Sequence, residues 1–353
     1  MRDDWMVRGQ ALVACRTVPL LSGPPPRPSP WKGEGARSPV VDAHLHCRPG
    51  SVRILLRALD LAEIDGGVLL GHPSLGAELL DEVARDAPRR LRVLVTPDLS
   101  LAGTGAAWDA ELRTIERLLD QAAGIKLYKD ANFGVRNRQG ARVSLLSAEL
   151  EPLWAIAAAR GVPVLVHAAD PLDFWRRSPR LRGRALEVHP EARCRGRSVP
   201  SRRRLLRDRD ELLRRWPDVR FVGAHFGGFP ATRAELARFL ALGPCDTSAA
   251  LEEVLTFDRP AVDALLRTHR HDVMWGSDLI LGEQPPGHER TAIVLSAKFL
   301  ADALRLATAA EAVHSPSPVE CPWRAPGLAL PGPLRDEVLG GNAVRVYWRG
   351  RWP

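Results

Sequence analysis

Two histidines one residue apart close the first apolar run of the chain, Val40-Val41-Asp42-Ala43-His44-Leu45-His46. On a strand, residues i and i+2 share a face, so His44 and His46 project into one space. Neutral imidazoles suit zinc, iron, nickel or copper, and two of them at a strand's end can begin a transition-metal site. A His-x-His pair also occurs for structural reasons. What else reaches the same space therefore decides its meaning.

Three further runs end in a side chain able to bind a metal or move a proton. Pro163-Val164-Leu165-Val166 leads to His167, Phe221-Val222-Gly223-Ala224 leads to His225, and Val273-Met274-Trp275-Gly276-Ser277 leads to Asp278. A second His-x-His pair, His269-Arg270-His271, precedes its strand instead of following it. It belongs at the opposite end and reads as surface. His72, just past the second strand, falls at the right end for a substrate contact. His189 and Trp175 lie in a long insertion, from which they could reach the site, while His288 and His314 read as solvated.

The elements that would carry these residues alternate along the chain. Short apolar runs are predicted as strands at 40–46, 67–71, 91–96, 124–128, 162–167, 219–225, 245–248 and 272–277. Segments of helical period are predicted as helices at 51–64, 76–86, 106–122, 148–160, 201–216, 232–242, 259–269 and 289–312. Ser147 and Gly161 bracket the fourth helix as expected cap and stop. Strand and helix in strict alternation signal a parallel sheet. Eight such units close most economically as an α/β fold of the (β/α)8 TIM-barrel type, whose chemistry sits at the C-terminal ends of its strands. No strand is followed by the Gly-x-Gly-x-x-Gly turn of an open dinucleotide-binding sheet. In the barrel, His44, His46, His167, His225 and Asp278 converge on one mouth.

At 353 residues, 45% hydrophobic and 26% charged, the chain suits a globular enzyme with a large core. We expect a single barrel domain over residues 39–349 and, before it, a Pro- and Gly-rich arm over residues 1–38 that is disordered or loosely attached. No apolar run approaches the length of a membrane span. Five scattered cysteines without Cys-x-x-Cys spacing argue against a disulfide framework, and the N-terminus makes a poor secretory signal, so a reducing, cytoplasmic setting is expected. The net charge of +8 is local: fifteen arginines face five acids between Arg176 and Arg215. No aromatic platform is interleaved there, which argues against nucleic acid. The insertion at 168–200 is expected over the mouth, where Arg182, Arg184 and Arg195 would favour an anionic small-molecule substrate. The oligomeric state stays open, with a homodimer as one arrangement.

The ordered set Asp42-Ala43-His44-Leu45-His46, Gly124-Ile125-Lys126-Leu127, Val166-His167, Gly223-Ala224-His225, Asp246-Thr247-Ser248, Gly276-Ser277-Asp278 and Gly341-Asn342-Ala343-Val344-Arg345 resembles the metal-dependent hydrolases of the amidohydrolase superfamily. Its closest look is the amidohydrolase-2 branch, which includes aminocarboxymuconate-semialdehyde decarboxylase. The resemblance spans roughly residues 40–348. It implies a distorted barrel with one divalent metal held by His44, His46, His167 and Asp278, usually zinc, with manganese or iron(II) as alternatives. It also makes His225 a catalytic or substrate-polarising residue. Some members of the superfamily carry two metals bridged by a carbamylated lysine of strand four, so Lys126 has three readings: paired with Asp278 or Asp98, in contact with substrate, or carbamylated.

The expected chemistry is hydrolysis of a C–N or C–O bond in a small organic acid, amide, ester or lactone. Asp278 would accept the proton of a metal-activated water and His225 would assist the leaving group. Non-oxidative decarboxylation of an aromatic or unsaturated carboxylate at the same site is the alternative, and a non-catalytic binding barrel the second. His72, Lys126, Trp175 and His189 are the candidate substrate contacts.

Overall fold

The computed structural model describes residues 38–129, 133–317 and 323–353. The expected N-terminal arm lies outside these residues, apart from Ser38. Among the described residues one sheet holds β1 (Val41–Cys47), β2 (Gly66–Leu70), β3 (Leu91–Val95), β4 (Gly124–Leu127), β5 (Val164–Val166), β6 (Phe221–Gly223), β7 (Cys245–Asp246), β8 (Val273–Met274) and β9 (Leu279–Leu281). Each strand from β1 to β8 pairs in parallel with the next, and β9 pairs in parallel with β1.

β8 and β9 are two halves of one strand. Between them Trp275 O accepts from Ala43 N (2.9 Å) and Asp278 N donates to His44 O (3.0 Å), so the backbone ladder with β1 continues across the gap. The ring is therefore an eight-stranded barrel whose last strand breaks at Gly276-Ser277-Asp278. Asp278 takes φ +66 there, a conformation no alternation of apolar and polar residues announces.

Outside the ring lie α1 (Val52–Leu61), α2 (Gly76–Asp86), α3 (Ala106–Leu118), α4 (Glu151–Arg160), α5 (Arg202–Arg215), α6 (Arg233–Leu240), α7 (Arg259–Thr268) and α8 (Glu289–Thr308). Their apolar faces explain the choice: in α1, Val52, Leu55, Ala58 and Leu59 recur at helical spacing and are all buried. α4 stops at Gly161 in the left-handed conformation, as expected. Its first turn is a 3₁₀ segment, however, and Ser147 makes no capping bond; its Oγ accepts from Ser144 N instead. α8 ends at Thr308, short of the expected 312, because Ala312–His314 pairs antiparallel with Arg324–Pro326 in a small separate sheet.

The core divides in two. The outer part lies between strands and helices, and the inner part fills the lower barrel with Val41, Ala43, Val68, Leu94, Leu165, Val222 and Met274. The C-terminal segment plugs this floor with Ala343, Val344, Tyr347 and Trp348. Along β1, Val41 and Ala43 belong to the inner part but Leu45 to the outer, because the register with β2 slips between Asp42 and Leu45. A one-residue bulge reverses the faces. It is what turns His44 and His46 inward at the mouth after two apolar residues have faced the floor.

The arginine-rich stretch departs from expectation. Arg182 is buried, bonding Glu253 through Nε (2.8 Å) and Nη2 (2.8 Å), Glu252 (2.5 Å) and the Ala249 carbonyl (2.6 Å). Arg184 pairs with Glu187 in its own short helix, Gly183–Val188, and Arg195 is exposed. Arg182 is thus committed to internal partners, supplied by acids 70 or more residues away along the chain that local composition cannot reveal. Arg182→Lys keeps the charge but loses the two-pronged contact. It is expected to lower the free energy of unfolding in urea by about 1 kcal/mol, with KM for acidic substrates unchanged. A stability equal to wild type would show that the fork is not used.

Candidate metal and catalytic site

The mouth gathers five of the expected residues through hydrogen bonds. Among the described residues, two groups bring ligand atoms within 4.8 Å of one another: His44, His46 and Asp278, and His44, His225 and Asp246. His44 Nδ1 faces Asp246 Oδ2 at 2.8 Å, which assigns the ring proton to Nδ1. His44 Nε2 then carries a lone pair. It is buried, has no hydrogen-bond partner among the described residues, and lies 3.3 Å from Asp278 Oδ1. The same oxygen is 3.1 Å from His46 Nε2, and His46 Nδ1 meets the Tyr128 hydroxyl at 3.3 Å.

A second chain runs through the other two histidines. His225 Nδ1 donates to the Ser248 carbonyl (2.8 Å), His225 Nε2 faces His167 Nδ1 (3.0 Å), and His167 Nε2 donates to Asp170 Oδ1 (2.8 Å). Acceptors stand at both ends, so the two rings need three protons, one of them between the facing nitrogens. Burial pushes both rings the other way, towards the neutral form. The conflict is resolved where a proton or a cation sits between lone pairs.

The charges suit a divalent ion. Burial drives His46 down to about 4, keeping it neutral. Burial opposes ionisation of Asp278, yet His44, the His46 bond and His225 hold it well below the usual carboxylate range. Asp246 is held low in the same way, chiefly by His44 against its own burial. Neutral imidazoles with ionised carboxylates are the form in which ligands bind metal. The orphaned His44 Nε2 opposite Asp278 is the kind of contact a cation relieves, so the residues fit the group.

The amidohydrolase-2 family model, described as Amidohydrolase, matches residues 41–349. The chain belongs to that family. No curated protein matches it. Among solved structures, an amidohydrolase from Burkholderia multivorans with bound zinc is 14% identical, with 88% of this chain and 99% of that one covered and a TM-score of 0.49. The probable 2-pyrone-4,6-dicarboxylic acid hydrolase of Acinetobacter baumannii, with citric acid bound, is 13% identical over 88% and 99% of the two chains, with a TM-score of 0.48.

In this amidohydrolase, the loops that carry the site are strained. His225, Phe226 and Gly227 are three successive residues in the left-handed region (φ 57, 52 and 75), a conformation that costs on the order of 1 kcal/mol or more for each non-glycine residue. Strain of this sort persists where surroundings enforce it. Gly276, in the break of the last strand, stands where a Cβ would come within 2.9 Å of His44 Cβ, so only glycine lets the two segments approach. Asp42 Oδ1 accepts from Ser277 N and His44 N, both at 3.0 Å, and ties β1 to the same break. Its burial pushes the carboxyl up to about 7.

The candidate substrate contacts divide. Lys126 points into the barrel from β4, since Ile125 and Leu127 join the outer core. Its Nζ is fully buried without a hydrogen-bond partner among the described residues, 5.2 Å from the Tyr128 ring. The expected pairing with Asp278 or Asp98 does not form; Asp98 instead caps Ser100 N, and Asp278 acts on Lys126 only at a distance. His72 lines a small cleft with His46, Arg48 and Tyr128. Trp175 donates to the Pro200 carbonyl (3.2 Å), and Phe133 stands between it and His167, 5.8 Å from Trp175 and 6.5 Å from His167. His189 meets Glu191 (3.1 Å) within the insertion. His269 pairs with Asp272 at the other end of the barrel, as its place before the strand implied.

Three site residues carry roles that sequence reasoning did not assign. Asp246 orients His44, and Ser248, whose hydroxyl bonds Asp246 (2.5 Å) and whose carbonyl holds His225, follows it by two residues. Asp170 holds His167. The rule that exposed the histidines, a polar residue at the end of an apolar run, fails for Asp246 because only Cys245 stands between it and Gly243-Pro244, so no apolar run leads to it.

Proposed function

We propose that this amidohydrolase hydrolyses a C–N or C–O bond in a small, anionic organic acid, amide, ester or lactone, using a divalent cation, zinc foremost, held by His44, His46, His167 and Asp278. The observation that carries the reading is the convergence of His44 Nε2, His46 Nε2 and Asp278 Oδ1 at the C-terminal mouth, with His44 Nε2 buried and unpartnered. The facing lone pairs of His167 Nδ1 and His225 Nε2 support His167 as the fourth ligand. A cation bound by such a set lowers the pKa of bound water towards neutrality and polarises a substrate oxygen.

The chain's own groups do the rest. Asp278, ionised, has the oxygen able to take a proton from an attacking water. His225, neutral with its Nδ1 proton on the Ser248 carbonyl, has a lone pair at Nε2 facing His167 Nδ1 that can take up a proton and pass it to a leaving atom. Lys126, projecting into the barrel with its ammonium unpaired, supports an anionic substrate. Residues 39–349 form the proposed catalytic domain.

Metal analysis joined to a screen of arylamides, lactones and aromatic carboxylates tests this. Zinc bound near one per chain, with water-dependent product from one of the first two classes, is the expected result. Release of carbon dioxide from the third class would assign a decarboxylase, and absence of bound metal at micromolar zinc would overturn the site.

A further inference from the structure

The charge that composition places in the arginine-rich stretch is spent inside the fold, on a particular set of acceptors. Arg202, from the first turn of α5, donates Nη2 to the carbonyls of Gly228 (3.0 Å) and Phe229 (2.5 Å). Arg209, two turns on, donates Nη1 to the Gly227 carbonyl. Arg182, in the insertion, holds the Ala249 carbonyl. All four carbonyls belong to residues at positive φ: Gly227 (75), Gly228 (122), Phe229 (50) and Ala249 (48). These are the turns that follow β6 and β7, and they carry His225 and Ser248.

The coincidence has a physical cause. A left-handed residue turns its carbonyl away from the ladder partners of a regular element, and a buried carbonyl without a donor is penalised. A guanidinium offers five donors in a rigid fork and stays charged when buried. Each arginine is itself neutralised: Arg202 by Glu235 (3.1 and 2.9 Å), Arg209 by Asp210 (2.8 Å) and Arg182 by Glu253. Arg209 also lies 4.5 Å over the Phe239 ring, and that ring fills the space a Cβ on Gly227 would need, 2.4 Å away. The turn is thus held from its carbonyl side and packed from its Cα side.

Arg202 does one thing more. Its Nε donates to the Asp170 carbonyl (3.3 Å), and the Asp170 carboxylate holds His167. One guanidinium therefore spans the mounts of both rings whose nitrogens face each other at 3.0 Å. Resting on the functional reading above, we propose that Arg202, together with Arg209 on the same turn and Arg182 on the next, is a positioning residue that sets the ring of His225 by clasping the carbonyls of the left-handed turns that carry it and Ser248. It touches neither metal nor substrate.

The test compares wild type with Arg202→Lys, Arg202→Met and, as a control on the same helix, the exposed Arg203→Lys. Two signals are read: the ring resonances of His225 in protein labelled with ¹⁵N-histidine, and hydrogen exchange of residues 224–230 against residues 41–47. Arg202→Lys and Arg202→Met should displace the His225 signals and speed exchange in 224–230 by about tenfold or more, leaving 41–47 and the control near wild type. A purely stabilising arginine would raise exchange in both segments alike, and that outcome overturns the proposal. So would unchanged His225 signals in either folded variant. If Arg202→Met fails to fold, Arg202→Lys, which keeps the charge, decides alone. Zinc titration of the wild type reports separately on the functional reading, since its failure would leave the His225 signals and their response to Arg202 intact.

Discussion

Asp278→Asn is expected to reduce turnover by about a thousandfold with weakened zinc affinity, whereas His225→Asn is expected to be nearly as inactive with zinc content unchanged. The difference follows from place. Asp278 Oδ1 lies within 3.3 Å of both His44 Nε2 and His46 Nε2, so the substitution removes a ligand charge together with the proton acceptor. His225 has its Nδ1 committed to a backbone carbonyl and its Nε2 directed at His167. It enters through the lone pair that its neutral ring presents at Nε2, which can take up and pass on a proton, and a loss of that kind appears in kcat with metal retained. His269→Asn, at the far end of the barrel, should change neither quantity. Zinc stoichiometry measured beside kcat on these three variants and on His44→Asn settles the matter: loss of metal from His269→Asn but not from His44→Asn would place the site at the wrong end.

Lys126→Met should make the chelator-treated protein more stable while abolishing turnover. Folding lowers the Lys126 ammonium from its ordinary 10.5 to about 8, because burial outweighs the attraction of Asp246 and Asp278. Between those two values the native state holds fewer protons than the unfolded chain, so wild-type stability rises with pH from about 8 to about 10.5. Below pH 8 the buried charge disfavours folding in full, by roughly 3 kcal/mol. Methionine fills a similar volume without charge, so the gain should appear at pH 7 and shrink towards zero above pH 10. Urea unfolding at both pH values checks it. A Lys126→Met protein less stable than wild type at pH 7 would mean that the ammonium has a strong internal partner. A gain in stability tied to lost activity is what a residue kept for function produces.

The barrel was legible because each of its elements writes a local pattern. Helices such as α1 repeat their apolar residues at helical spacing, and β1, β5, β6 and β8 each run into the polar residue that matters. Five mouth residues followed from that one rule. What escaped depends on contacts between distant segments. Asp246 becomes visible only when His44, 202 residues away, is seen against it. The arginines looked like a free positive patch because Glu235, Glu252 and Glu253 lie far along the chain. The split of the last strand and the left-handed turn at His225 are backbone conformations imposed by packing; Asp and His enter the left-handed region more often than most non-glycine residues, but far too rarely for either type to announce it alone.

The break in the last strand has a consequence for how the molecule is made. The groups proposed to share one ion come from opposite ends of the fold: His44 and His46 sit on the first strand, and Asp278 sits where the last strand breaks, 232 residues beyond His46. The seam of the ring and the ligand set are the same place. A nascent chain that has released seven strands owns both histidines but has no closed ring to hold them, and loop closure over such a span is among the slowest steps a chain of this kind must take. An ion bridging that seam would act as a latch, engaging only once the ring is complete and thereafter resisting its opening.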